Sequence, residues 1–194
     1  MGNKELKEVM QEPKRLYDEQ CKKILSYKQI LAYLFQSCLE EYKDFSLEEI
    51  QNLLHKEQNH DKMISKNVEE QSIRGSMIRY DLLYKIKNPQ NNNYLWIDIE
   101  PQGMDPSGYD LFHRGFYYAA RMVDRQRNNP EGFEEDDFDN IHKSISFWIC
   151  LRHARYKDNT MNQYGVEEKN ILGNLKHPKE FYDLMEIILL YPRQ

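Results

Sequence analysis

The chain has 194 residues, 40% hydrophobic and 30% charged, with a formal net charge of −5. Such a length suits one domain with a substantial core and excludes two ordinary ones, and no run approaches the ~18 apolar residues of a membrane span. The acidic balance argues against a general nucleic-acid binder with a basic face, but leaves room for an enzyme that holds DNA locally around a metal.

Residues 1–20, MGNKELKEVMQEPKRLYDEQ, are polar throughout. No signal peptide is expected, and a cytoplasmic protein without a membrane partner is the expectation. Residues 1–23 read as a charged N-terminal helical extension interrupted at Pro13, and 24–194 as the domain proper. From Ile24 to Tyr42, apolar residues recur at three- and four-residue spacing (Leu31, Leu34, Phe35, Cys38), the mark of an amphipathic helix. Ser46 and Glu49 form a capping-box pattern that opens a second helix, running to about His55. Residues 56–75 lack a period and are expected to be irregular. The three cysteines, Cys21, Cys38 and Cys150, form no CxxC pair, and the six histidines no HExxH. Zinc and disulfide frameworks are therefore not indicated, and Cys38 and Cys150 read as small core residues.

The period then changes. MIRYDLLYKI (77–86), a turn in KNPQNNN and YLWIDIEPQ (94–102) predict a β-hairpin. A helix is expected over 108–127, with Leu111, Gly115, Tyr118, Ala119, Met122 and Val123 on one side. Residues 128–140 form an acidic loop, and SISFWICL (144–151) reads as a strand buried on both faces. A short strand is expected near 160–167. Pro178 opens a predicted final helix with a Phe181, Leu184, Met185, Ile188, Leu189 stripe, ended by Pro192. This order predicts an α/β fold, a mixed central β-sheet flanked by helices.

Chemistry concentrates on the hairpin. Strand alternation puts Trp96, Asp98, Glu100 and Gln102 on one face of 94–102, and Leu95, Ile97, Ile99 and Pro101 on the other. The partner strand contributes Asp81, which a hairpin of this length brings beside Glu100. Carboxylates so gathered suit a hard divalent cation such as Mg²⁺, with Mn²⁺ as its substitute. Gln102 is placed to orient a water. The same alternation also describes a solvated sheet face, with Ile97 and Ile99 turned to the core. On the following helix Arg114, Tyr118 and Arg121 share a face. The arginines either contact a DNA backbone or pair with acids such as Asp98 and Asp110, and spacing leaves both open.

The runs GSMIRYDLLYKI, LWIDIEPQ, GYDLFHRGFYYAARMVDRQ and HKSISFWICL together resemble the PD-(D/E)xK nuclease family transposases, which are related to recombination-promoting nucleases. The late segment NTMNQYGVEEKNILGNLKHPKEFYDLMEIILL looks like the family's closing region, so the resemblance covers roughly 24–190. It implies a restriction-endonuclease-like core and a Mg²⁺-dependent DNA endonuclease activity on phosphodiester bonds. It further implies Asp81 and Glu100 as catalytic metal ligands, Gln102 in the lysine position of the general pattern, and Glu41 as a fourth, helical acid. Double-stranded DNA is the implied partner, bound in part by Arg114 and Arg121, and a homodimer is one route to cutting both strands. The sequence departs from the general motif in having Arg79-Tyr80 where proline precedes the aspartate, Pro101 inside the motif, and glutamine for lysine. Glutamine cannot neutralise charge at a scissile group. The alternative is a degenerate nuclease fold serving as a DNA- or protein-binding module.

Overall fold

Asn-rich turn chemistry sets the hairpin that organises the sheet. Asn88 Oδ1 accepts from the Gln90 N–H, Asn91 Oδ1 accepts from the Asn93 N–H, and the Asn88 N–H closes the loop on the Asn93 carbonyl. In the computed structural model, which describes residues 19–57, 69–71, 77–91 and 93–193, the chain divides into two compact units, 1–64 and 65–194. The expected extension over 1–23 lies mostly outside the described residues.

The first unit contains helices α1 (Lys28–Cys38) and α2 (Leu47–Glu57), which pack on each other, and a 3₁₀ turn over Glu40–Tyr42 between them. Leu31, Phe35 and Cys38 of the expected stripe are buried. The expected single helix from Ile24 to Tyr42 breaks twice, at Ser26–Tyr27 before α1 and at Leu39, whose extended backbone ends it. The capping box is formed: Glu49 accepts from the Ser46 N–H at 2.8 Å, and Ser46 Oγ accepts from the Glu49 N–H at 3.3 Å.

The second unit begins with a two-stranded antiparallel ribbon, β1 (Glu69–Gln71) and β2 (Met77–Arg79). The stretch 56–75 was expected to be irregular; β1 corrects this, and 58–68 and 72–76 lie outside the described residues. Strands β3 (Leu82–Lys87) and β4 (Tyr94–Gln102) pair antiparallel, with Leu82 opposite Ile99. Helix α3 (Leu111–Gln126) then crosses to β5 (Lys143–Cys150), which lies parallel to β4. An edge strand β6 (Thr160–Gly165) and the last strand β7 (Met185–Tyr191) complete a five-stranded mixed sheet of order β3-β4-β5-β7-β6.

The predicted final helix is not there. Only a 3₁₀ turn, Lys179–Phe181, is helical, and β7 runs parallel to β5. Met185-Glu-Ile-Ile-Leu-Leu-Tyr191 is nearly continuous in apolar residues because it lies one strand in from the edge, covered on both sides. In so short an apolar run a three-and-four stripe and a buried strand cannot be told apart. By contrast β5 is buried at all eight positions, as its composition predicts.

Helix α3 is capped at its start and fixed to the sheet at its end. The Asp110 side chain caps it by accepting from the Phe112 N–H. At the other end Gln126, fully buried, donates to the His142 carbonyl and Ser144 Oγ and accepts from the His142 N–H at 2.7 Å. Between them Gly115 lets the helix lie close: a Cβ there would sit 2.7 Å from Ile187 Cγ2 and 3.1 Å from Trp148 Nε1. Trp96, Leu111, Tyr118, Ala119, Met122, Trp148 and Ile187 form the apolar layer between helix and sheet.

Candidate active site

The face of β4 that carries the acids is the face that α3 covers. Trp96 and Trp148 belong to this layer, and the register places Asp98 beside Ser146 and Glu100 beside Trp148. Asp98 is therefore 0% and Glu100 4% exposed. This overturns the reading of these acids as a solvated face. It also explains Pro101. The Gln102 carbonyl accepts from the Leu151 N–H on the β5 side. Strand alternation then turns the Pro101 nitrogen to the β3 side, beyond the last pair with β3, so no ladder bond is lost there.

Asp81 lies one residue before β3, at a bend opposite Glu100, and is half-buried. Its backbone N–H donates to Glu100 Oε1 at 2.8 Å. Neither carboxylate oxygen of Asp98 receives an N–H or O–H from any described residue. The neighbour it does meet is the carboxyl group of Glu100, and a bond between these two acids requires a proton held by Asp98. Burial first, then the charge of Glu100, pushes the Asp98 carboxyl well above the usual range. Burial and the Asp81 charge push Glu100 up to about 7, against the opposing pull of the Asp81 N–H and of Arg114. At neutral pH these two acids thus keep a proton between them unless a cation replaces it.

Arg114 is the cation that acts on both buried acids. Its guanidinium lies 4.8 Å from the Trp148 ring and 5.2 Å from the Tyr118 ring. It donates to the Tyr118 hydroxyl at 3.1 Å and to the Tyr109 hydroxyl at 3.3 Å. Tyr118 in turn packs edge-on against Trp148 and Tyr80, and burial holds its phenol above its usual pKa.

The remaining expected residues are placed less centrally. Gln102 follows on the acidic face, half-buried, with its side-chain amide donating to the Met104 carbonyl at 2.7 Å. Arg121 meets Asp124 of its own helix at 3.3 Å. Glu41 belongs to the first unit, buried in the turn Glu40–Tyr42. The sequence places Asp98 on the acidic ridge without marking it as a site residue; its i, i+2 relation to Glu100 is the available signal. Nothing in the sequence pointed to Trp148 as the support under Arg114. Cys38 and Cys150 are buried, and burial pushes both thiols up to about 11, which suits inert core residues.

Compared with known proteins, the chain matches no family model, no curated protein and no solved structure. Among the described residues no helix is long and apolar enough to cross a membrane.

Proposed function

We propose that this chain is a Mg²⁺-dependent DNA endonuclease-like protein with a restriction-endonuclease-like core, related to mobile-element nucleases and acting on double-stranded DNA. One observation carries the reading. A fully buried carboxyl, Asp98, has no N–H donor from the described residues and shares β4 with Glu100, across from the bend that carries Asp81. Burying two neighbouring carboxyl groups is costly, and a bound cation would offset that cost in place of the proton they hold. The mixed sheet supports the same reading, since an antiparallel hairpin bears the acids and a crossover helix covers them.

The oxygen chemistry of the residues present suits a hard divalent ion, although Asp81, Asp98 and Glu100 do not bring three ligand oxygens within 4.8 Å of one another without rearrangement. Asp81 and Glu100 would hold it, with Asp98 as a further oxygen donor; Mn²⁺ would substitute. When bound, the cation supplies Lewis-acid polarisation of a phosphoryl oxygen. The protein's own part is to release the proton shared by Asp98 and Glu100, to present their oxygens, and to keep the site half-shielded under α3. Gln102 keeps its amide oxygen for orienting the attacking water, since its nitrogen is used on Met104. Arg114, and Arg121 further along the helix, would meet the DNA backbone. Two copies of the chain would cut both strands.

A second reading, a binding module that no longer cuts, draws on the same Gln102. Its amide nitrogen is committed to its own turn and carries no charge. Mn²⁺ calorimetry and plasmid nicking, run together, separate the two. The nuclease binds metal and nicks, and Asp81→Ala loses nicking with an unchanged circular dichroism spectrum. Undiminished nicking by that variant rejects the site. Salt-sensitive DNA binding by wild type without any nicking selects the binding module.

A further inference from the structure

Resting on the nuclease reading, we propose that Arg114 does the work for which position 102 lacks a lysine. It contacts the scissile phosphate and neutralises the charge that builds on it in the transition state.

Three observations converge. First, Arg114 is half-buried, yet no carboxylate of the described residues lies within ion-pairing distance of it; its hydrogen bonds go to two neutral tyrosine hydroxyls. An arginine whose role was structural would be expected to take one of the acids it faces as a direct partner. Second, it is held still. The Trp148 and Tyr118 rings lie against the guanidinium, and those two hydroxyls engage two of its five N–H donors, leaving three directed elsewhere. Third, three lysines of the second unit are engaged elsewhere. Lys143 is bound to Asp183 and Glu186 at 3.0 and 2.6 Å, and Lys157 to Asp105 at 2.5 Å. Lys85 donates to the Glu131 carbonyl and covers the Tyr94 ring.

The step is a hydrolysis. Water adds to phosphorus as the bond to the leaving oxygen breaks. One proton of the water passes to solvent, the leaving oxygen takes one from solvent, and nothing is oxidised or reduced. The non-bridging oxygens gain negative charge on the way, and a fixed guanidinium stabilises that charge more than it stabilises the diester. Its fork geometry suits two phosphate oxygens at once, which an ammonium group does not match.

Single-turnover nicking by the full-length chain tests this, alongside Mn²⁺ calorimetry and DNA binding in Ca²⁺. Arg114→Met is expected to slow nicking by about 10²–10³-fold. Its Mn²⁺ affinity should hold or tighten, because a positive charge beside Asp98 and Glu100 has been removed. That sign separates the proposal from a structural role, which would weaken both. Arg114→Lys keeps the stem and the charge and guards against a folding defect; it should recover part of the rate. Wild-type nicking with unimpaired nicking by Arg114→Met overturns the role of Arg114 alone. Loss of Mn²⁺ binding in both variants also overturns it. A wild-type chain that neither binds Mn²⁺ nor nicks overturns the underlying nuclease reading.

Discussion

The backbone N–H of Asp81 ends on the carboxylate of Glu100, 2.8 Å away across the hairpin. This bond ties down the bend that carries Asp81, so Glu100 serves both the backbone and the site. Its two roles come apart by substitution. Glu100→Ala leaves a partly buried N–H without its acceptor and should lower stability by about 1–3 kcal/mol, measured by urea unfolding at pH 5. Glu100→Gln keeps an acceptor and should lose much less, while still losing metal. Equal stability of the two variants would show that the bend does not depend on this bond.

The proton shared by Asp98 and Glu100 makes stability depend on pH. Both carboxyls are raised in the folded protein, so the folded state binds more protons than the unfolded one and stability falls as pH rises. For Glu100 the contribution is complete below its unfolded value and is lost as pH climbs through about 7. The metal-free protein should therefore melt higher at pH 5 than at pH 8. Asp98→Asn, a neutral mimic, should flatten this slope and add roughly 1–3 kcal/mol at pH 8. A slope unchanged in that variant would remove Asp98 from the pair.

The close approach of α3 to the sheet depends on Gly115. Alanine is the better helix former by about 1 kcal/mol. Its Cβ would nevertheless meet Ile187 and Trp148 at 2.7 and 3.1 Å. Overpacking of about 1–3 kcal/mol should outweigh the propensity gain, so Gly115→Ala should unfold at lower urea concentration than wild type. A higher midpoint would mean that the contact relaxes freely.

Much of the local structure was legible. The capping box at Ser46, the Asn-rich turn, the pairing of 82–87 with 94–102 and the fully buried β5 follow from neighbouring residues, whereas the bend at Asp81 that splits the expected 77–86 strand between two sheets does not. Pairing Asp81 with Glu100 was readable too, since an antiparallel hairpin of known length fixes which residues face each other. Two expectations failed for lack of local information. β7 reads as a helix from sequence because its apolar run is too short to show its period, and the slot beside β5 decides for a strand. The acidic ridge could equally have faced solvent, because alternation names a face without saying what covers it.

By itself, then, the sequence determined the hairpin, its register and the acids that share one strand face, because these depend on spacing along the chain. Only the tertiary structure decided that α3 closes over that face. Burial is a property of what packs above a side chain, and Gly115 and Trp148 set that packing from distant parts of the chain. The same packing raises the carboxyls of Asp98 and Glu100 and sets Arg114 near them.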